Sequence, residues 1–319
     1  MAPASLAASI HGRGTLPRRR WRPAERPRLP STPPPAISET RAVGARTALA
    51  TGRRREEMMT TERLLQGKVA VITGASRGIG RVMAQMFADA GADLVLMART
   101  TSERPSKLPG TLEQTAEECR RRGARVAMVP GDVAREEDCK RVAQVTADTF
   151  GRCDVLVNNA AINPVGRLEE LPLRLFQRGF EVNVFGPFML TQALLPLLKQ
   201  QPGSFIINIS SGAARTVAPG WAVYSASKAA LDRMTLTLAE ELKPYRINVV
   251  DLQLELSVVT EGYMYNRPDA DYSTWEKPEI MGEAALWIIR HGDRYHGRIV
   301  TIGELRQDYA AAGQAGTPA

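Results

Sequence analysis

The sequence predicts an α/β fold in which one doubly wound parallel β-sheet carries helices on both faces. Short apolar runs of about six residues alternate with longer segments of helical periodicity. These runs are apolar nearly throughout, as in strands whose two faces are both covered by helices. A glycine-rich turn joins the first run to the first helical segment, a connection typical of such sheets.

Each element follows from this alternation and from local signals at its ends. The predicted strands are residues 68–72, 93–98, 125–130, 154–158, 204–209, 246–250 and 298–302. The predicted helices are residues 81–90, 112–122, 135–150, 173–198, 225–242 and 278–290. Thr111 is expected to cap the second helix with Gln114 in its first turn, and Asp132 to cap the third. Pro278 suits a first helical turn, and residues 304–319 are expected to be a frayed tail.

Residues 1–60 form an arm whose composition differs from that of the rest. Residues 1–55 contain twelve arginines, no lysine and only two acids, Glu25 and Glu39, which gives a net charge of +10. Because the whole chain carries +8, the remaining 264 residues carry −2. Eight of the 21 prolines also lie in the arm. This composition cannot bury a core, so we expect the arm to be disordered and dispensable for catalysis.

Three uses of the arm fit its composition. A segment rich in arginine and poor in acids could target an organelle. It could also bind nucleic acid, although Trp21 is the only aromatic residue among its arginines. It could instead be a solvated extension upstream of the true start, which Met58 and Met59 favour. We expect the third use, and hence no nucleic-acid partner.

The rest of the composition indicates a cytoplasmic protein. The sequence has no run of about 18 apolar residues, so no membrane span is expected. Cys119, Cys139 and Cys153 are odd in number and lack the spacing of a metal site, so no metal is expected. They indicate buried, reduced thiols in a reducing compartment.

The glycine turn, residues 74–80, predicts a dinucleotide site. Glycines between a strand and a helix let the backbone approach a pyrophosphate, and the helix N-terminus offers free N–H groups and a positive dipole end. The second strand is then followed by Arg99 rather than by the acid that would hold a free ribose 2′-hydroxyl. Arg99, with Arg77 in the glycine turn, suits a 2′-phosphate. The alternative is two surface arginines. NADP(H) is therefore expected to be preferred, with NAD(H) also possible.

Two further strand ends point to the same nucleotide. Asp132 follows the third strand, where ligands bind in open α/β sheets, and could accept a hydrogen bond from an adenine amino group. Asn158 and Asn159 follow the fourth strand with Ala160 and Ala161, and small residues there let a flat nucleotide pack on the backbone.

Tyr224 and Lys228 form a candidate acid–base pair. Four residues apart on one helix, they point the same way. A phenol has an ordinary pKa of about 10, and a nearby ammonium lowers it. The alternative is a tyrosine and a lysine on a half-exposed helix.

Two further polar residues are candidates for the same site. Asn183 lies in the apolar middle of its predicted helix, and the alternative to a functional role is a buried amide that bonds to backbone. Ser211 closes the fifth strand.

These motifs together resemble the short-chain dehydrogenase/reductase family over residues 66–303. The motifs that carry the resemblance are Thr73-Gly74-x-x-x-Gly78-x-Gly80, Asn158-Asn159-Ala160-Ala161, Asn183, Ser211 and Tyr224-x-x-x-Lys228, in the family's order and spacing. The connection 100–111 resembles the hydroxysteroid-dehydrogenase-like branch. The resemblance implies a Rossmann-type domain acting on alcohols and ketones, and dimers or tetramers that pair helices 173–198 and 225–242.

The resemblance also implies roles for single residues. Tyr224 would be the general acid in reduction and the general base in oxidation, and Lys228 would lower its pKa and hold the nicotinamide ribose. Ser211 would bond the substrate oxygen, and Asn183 would hold a water in the proton relay. The expected cofactor-binding residues are Gly74, Ser76, Arg77, Gly78, Ile79, Gly80, Arg99, Asp132, Val133, Asn159, Ala160, Ala161, Tyr224, Lys228 and Thr260.

The chain departs from the family after the sixth strand. The usual Pro-Gly is absent, and residues 251–256 read Asp-Leu-Gln-Leu-Glu-Leu. The Val-x-Thr that normally meets the nicotinamide amide is expected to survive as residues 258–260. Residues 261–276 would form a substrate lid, in which the aromatics either pack on the domain or meet substrate. The departure keeps a second function open, a dinucleotide-binding sensor or scaffold without turnover. Steroids, acyl chains, sugars and xenobiotic ketones all remain open as substrates.

Overall fold

A computed structural model describes residues 63–266 and 268–315. The arm, residues 1–60, lies outside the described residues, so the expectations for it stay predictions. Within the described residues, seven parallel strands form one sheet in the order β3-β2-β1-β4-β5-β6-β7, which confirms the doubly wound fold. The strands are β1 Val69–Thr73, β2 Asp93–Ala98, β3 Val126–Pro130, β4 Val155–Asn158, β5 Phe205–Ser211, β6 Asn248–Leu254 and β7 Ile299–Thr301.

Every predicted helical segment is helical, with ends that differ by a few residues in most cases, whereas residues 261–266 and 302–315 form helices that the sequence analysis does not predict. The helices are α1 Gly78–Asp89, α2 Leu112–Arg120, α3 Glu136–Phe150, α4 Leu173–Phe180, α5 Gly186–Lys199, α6 Ala222–Leu242, α7 Glu261–Asn266, α8 Glu279–Arg290 and α9 Ile302–Ala315. One π-helical turn, Glu181–Phe185, joins α4 to α5.

Two apolar cores cover the two faces of the sheet. Phe87 of α1 and Ile288 of α8 are fully buried in one core, which α2 and α9 complete. Leu190 and Leu194 of α5 are fully buried in the other, with residues of α3 and α6. Each such side chain stabilises the fold by roughly 1.5–3 kcal/mol. Because all the strands are parallel, their carboxyl ends share one edge of the sheet, where the candidate residues gather.

The two predicted helix caps have different outcomes. The Thr111 hydroxyl accepts from the Gln114 N–H (3.3 Å), and the Gln114 side chain accepts from the Thr111 N–H (3.1 Å), which confirms the first cap. The Asp132 cap is wrong, because the N-cap of α3 is Arg135, which makes no side-chain bond. Asp132 instead accepts from the N–H of Ala134 (3.1 Å), two residues along a tight turn.

The C-terminal segment is helical where a frayed tail was expected. α9 begins directly after β7 and continues to Ala315. Leu305 is fully buried, and the Asp308 carboxylate accepts from the Tyr295 hydroxyl (2.6 Å) and from Arg294 (2.7 Å). These contacts anchor the helix, so the expectation of a frayed tail is wrong for residues 304–315.

One helical run among the described residues, Leu173–Lys199, reaches the length and mean hydropathy of a membrane span. It comprises α4, the π turn and α5. Leu190, Leu194 and Leu198 on it are fully buried in the second core. Its apolar character therefore matches that of a core helix of this sheet.

Candidate active site

The glycine turn lies between β1 and α1 at the carboxyl edge of the sheet. Gly74 and Gly78 have φ of +67° and +54°, in the left-handed region that favours glycine. A Cβ on Gly74 would lie 2.9 Å from Nδ2 of Asn159, and one on Gly80 would lie 2.4 Å from the Gly74 carbonyl oxygen. A side chain is thus excluded at Gly74 and at Gly80, which lets the turn pack closely on Asn159 and on its own backbone.

Thr73 and Asn159 fasten this turn to β4. The Thr73 hydroxyl accepts from the N–H groups of Asn159 and Ala160, both at 3.0 Å. The Asn159 amide donates to the Thr73 carbonyl at 2.8 Å. The structure therefore brings Asn159 and Ala160 to the glycine turn, with Ala161 following them, and their contact with a cofactor stays a prediction. Thr73 is the last residue of β1 and belongs to the motif, but the sequence alone does not predict this fastening role.

Two arginines stand together beside the turn. The Arg77 guanidinium donates to the Gly110 carbonyl oxygen (3.0 Å), and its buried Nε has no hydrogen-bond partner within the described chain. Burial lowers the pKa of Arg77, Glu261 opposes this, and the nearby charge of Arg99 adds to the lowering. The Arg99 side chain is 60% exposed after β2. Two guanidinium groups that still have unused hydrogen-bond donors therefore lie close together beside the glycine turn.

The residues predicted after β3 are placed differently. The Asp132 carboxylate accepts from Arg178 and lies 4.0 Å from Arg99. Val133 is buried in the second core, where a Cβ on Gly186 would lie 2.9 Å from its side chain. Asp132 thus lies at the nucleotide edge but is already paired, and only the backbone of Val133 remains for a cofactor. Ser76 and Ile79 lie within the turn, Ser76 buried and Ile79 packed on the first core.

Tyr224 and Ser211 meet at the same edge. Tyr224 lies in the first turn of α6 and Ser211 ends β5. Burial raises the pKa of the Tyr224 phenol to about 12, and a hydrogen bond with the Ser211 hydroxyl opposes this. The phenol pKa therefore lies above its ordinary value, contrary to the expected lowering. Burial is the dominant cause. Lys228 donates to the Ile209 carbonyl oxygen (2.7 Å), and its ammonium lies 5.8 Å from the Tyr224 ring centroid.

Lys228 is itself nearly inaccessible, with 3% exposure. Burial lowers its pKa to about 8, while the carboxyl groups of Asp251 and Asp232 oppose that shift. Neither aspartate was singled out as a site residue from the sequence, because no motif joins β6 to the middle of α6.

Asn183 lies in the π-helical turn and is 1% exposed. Its amide oxygen accepts from the Ile162 N–H, and its Nδ2 donates to the Ile162 carbonyl and the Ser227 hydroxyl, all at 2.9 Å. Ser227 in turn donates to the Tyr224 carbonyl (2.8 Å). Asn183 therefore links the loop after β4 to the first turn of α6, and a role in holding a water stays a prediction.

The segment after β6 reaches back to the glycine turn. Thr260 lies 3.5 Å from the position that a Cβ on Gly78 would take. The next residue, Glu261, accepts from the Gly78 N–H at 2.9 Å. A carboxylate therefore occupies the N-terminus of α1. The sequence reasoning missed Glu261, and its only signal is its place next to Thr260.

The aromatics of the predicted lid pack on one another. Trp275 makes edge contacts with Tyr263 (5.1 Å between centroids) and Tyr272 (4.9 Å), and the Tyr272 hydroxyl donates to the Tyr263 carbonyl (2.9 Å). Tyr263 is also near enough to Tyr224 to raise its pKa slightly further. One member of the cluster, Tyr263, therefore acts electrostatically on the candidate acid.

Where the family has Pro-Gly, β6 simply continues. It stays paired with β5 as far as the Ser211–Leu254 pair. The Glu255 carboxylate then accepts from the N–H groups of Ile302 (3.1 Å) and Gly303 (2.7 Å) at the start of α9. The departure therefore lengthens the strand without disrupting the sheet.

Comparisons with known proteins identify relatives of this chain. Residues 68–267 match the family model described as short chain dehydrogenase. An oxidoreductase of Thermotoga maritima, named as uncharacterized, is 41% identical over 184 residues, which cover 58% of this chain and 69% of that protein. The 11-beta-hydroxysteroid dehydrogenase A of Sesamum indicum is 38% identical over 203 residues, covering 63% of this chain and 56% of that protein.

Solved structures give the same result. A short-chain dehydrogenase of Burkholderia cenocepacia, solved in complex with NADP, is 28% identical with a TM-score of 0.67, covering 74% of this chain and 96% of that one. A short-chain dehydrogenase/reductase of Serratia marcescens is 29% identical with the same TM-score and coverage. From the matched family model and from these relatives, we conclude that this chain belongs to the short-chain dehydrogenase family of NAD(P)-dependent oxidoreductases.

Proposed function

We propose that this protein transfers a hydride between NADP(H) and a hydroxyl/carbonyl substrate, with Tyr224 as the general acid and base. The observation that carries the proposal is the meeting of Tyr224, Ser211 and Lys228 at the sheet edge that holds the glycine turn. The NADP complex of the Burkholderia relative supports the choice of cofactor.

The residues present fit nicotinamide adenine dinucleotide phosphate, NADP(H). Gly74, Gly78 and Gly80 leave the backbone of the turn without side chains at the N-terminus of α1, where a pyrophosphate would bind, and Arg77 and Arg99 would hold the 2′-phosphate. The unpartnered Nε of Arg77 is a donor of the kind that this group needs. When bound, the cofactor supplies the hydride chemistry.

The side chains divide the remaining work. In reduction, a neutral phenol is the form that donates, and the raised pKa keeps Tyr224 protonated near neutral pH. Tyr224 gives its proton to the substrate oxygen, and the Ser211 hydroxyl donates a hydrogen bond to the same oxygen as charge develops there. In oxidation the phenol must first lose its proton, and the charge on Lys228 favours that loss. Asn183 holds the backbone of Tyr224 in place through Ser227.

The substrate class that fits best is a flat, apolar alcohol or ketone. Tyr263, which packs against Trp275 in the aromatic cluster, acts electrostatically on Tyr224, and one relative is named a hydroxysteroid dehydrogenase. A substrate panel with NADPH should therefore contain steroid ketones beside sugars, acyl chains and small ketones. A cytoplasmic location stays a prediction.

The alternative function, a dinucleotide sensor without turnover, rests on the missing Pro-Gly. In the structure β6 continues in register at that point, and Ser211, Tyr224 and Lys228 still meet. This arrangement favours the enzyme.

The outer face of the helical run Leu173–Lys199 suggests self-association. Phe185 is 53% exposed and Phe188 46% exposed on it, although most large apolar side chains of the described chain are buried. We expect a homodimer or homotetramer formed through this face. Sedimentation should show an oligomer at micromolar concentration, and Phe185→Glu with Phe188→Glu should convert it to monomer. Leu168→Glu, an exposed residue off this run, serves as the control.

Replacing the candidate acid should remove turnover while leaving cofactor binding intact. Tyr224→Phe deletes one hydroxyl, and general acid–base catalysis is worth about 10²–10⁴-fold, so kcat should fall by that factor. The Kd for NADPH, from fluorescence titration, should change by less than about threefold, well under 1 kcal/mol. Tyr263→Phe is the matched control and should retain turnover within about tenfold. Wild-type turnover by Tyr224→Phe would refute the assigned role.

Arg99 should set the preference between the two cofactors. A charge-assisted hydrogen bond is worth roughly 1.5–3 kcal/mol, so NADP(H) should exceed NAD(H) by at least about tenfold in kcat/KM. Arg99→Ala should weaken NADP(H) and leave NAD(H) nearly unchanged, and added salt should do the same. Arg104→Ala removes an exposed charge from the neighbouring connection and should alter neither. Equal weakening of both cofactors by Arg99→Ala would contradict the assignment.

Glu261 should compete with the cofactor phosphates. Its carboxylate accepts from Gly78 at the positive end of α1, where anions are stabilised by about 0.3–1 kcal/mol. Glu261→Ala should therefore tighten NADPH binding by about two- to fivefold, measured by calorimetry. Glu276→Ala, which removes an acid paired with Arg306 in the same segment, should have no such effect. Weaker binding by Glu261→Ala would mean that this carboxylate supports the cofactor.

A further inference from the structure

Three ionisable residues are buried together behind Tyr224. Lys228 and Asp232 lie one turn apart on α6, and Asp251 lies on β6, against which α6 packs. They are 3%, 6% and 0% exposed, respectively. Burying a charge is costly unless an opposite charge or hydrogen bonds compensate it. The charges of these three groups must therefore balance one another.

Asp251 has no ordinary donor for its carboxyl group. Both of its oxygens are buried, and no hydrogen bond reaches either of them from any N–H or hydroxyl group of the described residues. The group within hydrogen-bonding reach is the carboxyl of Asp232. Two carboxylates cannot bond to each other, because both only accept; one of them must carry a proton.

The surroundings show which member holds the proton. Burial raises the pKa of Asp232 as well, but Asp232 accepts from the Ser210 hydroxyl and from Nε2 of Gln253 (3.1 Å), and such bonds favour its charged form. Arg215 donates to the other end of the Gln253 amide and contributes positive charge to both aspartates. Asp251 lacks such donors, and burial raises its pKa to about 9. The proton therefore lies on Asp251 and the charge on Asp232.

We propose that Asp232 and Asp251 form a carboxyl pair that shares one proton and keeps Lys228 charged, which makes them positioning residues for the acid–base step. The proposal rests on the proposed function. With one proton on the pair, the cluster holds one negative and one positive charge and is neutral. With both carboxyls replaced by amides, the Lys228 ammonium would be buried without a counter-charge and would lose its proton more readily.

The proton on Asp251 can be tested without turnover. A carboxyl whose pKa is about 9 when folded and about 4 when unfolded binds a proton in the folded state alone between these values. Stability should therefore fall as the pH rises through that window. An asparagine at this position cannot titrate, so only the wild type should lose stability in this window. The Tm of Asp251→Asn relative to the Tm of wild type should therefore rise by at least about 3 °C between pH 5 and pH 9.

Asp154→Asn is the matched control for the stability series. Asp154 is buried at the start of β4 and paired with Arg152, far along the chain from the cluster. Its loss should lower the Tm without a difference that grows toward pH 9. A flat difference for Asp251→Asn over the same range would overturn the shared proton.

The link to Lys228 is tested by the pH profile of alcohol oxidation. Asp251→Asn keeps the Asp232 carboxylate, so the acid limb of kcat/KM should stay in place. The double variant Asp232→Asn/Asp251→Asn removes that negative charge, so Lys228 loses its proton more readily and no longer favours the ionisation of Tyr224. The acid limb of kcat/KM should therefore move to higher pH by about one unit, which lowers the rate about tenfold at a fixed pH on that limb. An unmoved limb in the double variant would overturn the proposal. If wild type reduces no carbonyl and oxidises no alcohol, the proposed function fails, and the Tm series still decides the proton on Asp251.

Discussion

The burial of one lysine ammonium constrains the whole catalytic edge. Lys228 lies between α6 and the sheet, where an uncompensated charge would cost several kcal/mol. Its Nζ donates to the Ile209 carbonyl in β5, so α6 must cross that strand close to its end. The same crossing brings Tyr224, one turn earlier, to Ser211, two residues further along β5. The acid, its hydroxyl partner and its cation are therefore positioned by one packing contact.

Much of the fold could be predicted because the signals that specify it are local. Apolar runs showed the strands, and the Thr111 capping box marked its helix from four residues of sequence. The glycine turn was also predictable, since Gly80 approaches the Gly74 backbone only six residues away. The C-terminal helix escaped prediction because it depends on tertiary contacts: Leu305 is buried in the core and Asp308 bonds Arg294 and Tyr295 across β7, whereas a local reading shows only a polar, alanine-rich tail.

The electrostatics of the site could not be predicted for the same reason. Glu261 and Gly78 are 183 residues apart, and no spacing rule connects them. The motif correctly paired Tyr224 with Lys228, but it did not predict the direction in which the phenol pKa shifts. Burial of the phenol raises that pKa, and the Lys228 ammonium forms its hydrogen bond elsewhere. Asn183 was in the expected place, yet a π-helical turn, invisible in the apolar pattern, aims its amide at Ile162 and Ser227.

The missing Pro-Gly shows how a departure from a family pattern can be locally consistent. A proline would have ended the hydrogen bonding of β6, because it lacks an N–H. In its absence β6 continues to Leu254, and its polar side chains acquire partners: Gln253 bonds Asp232 and Arg215, and Glu255 bonds the first N–H groups of α9. The longer strand also carries Asp251 beneath Lys228. The residues that replaced the motif thus contribute to two separate sets of contacts, one beside the acid–base pair and one at the start of the C-terminal helix.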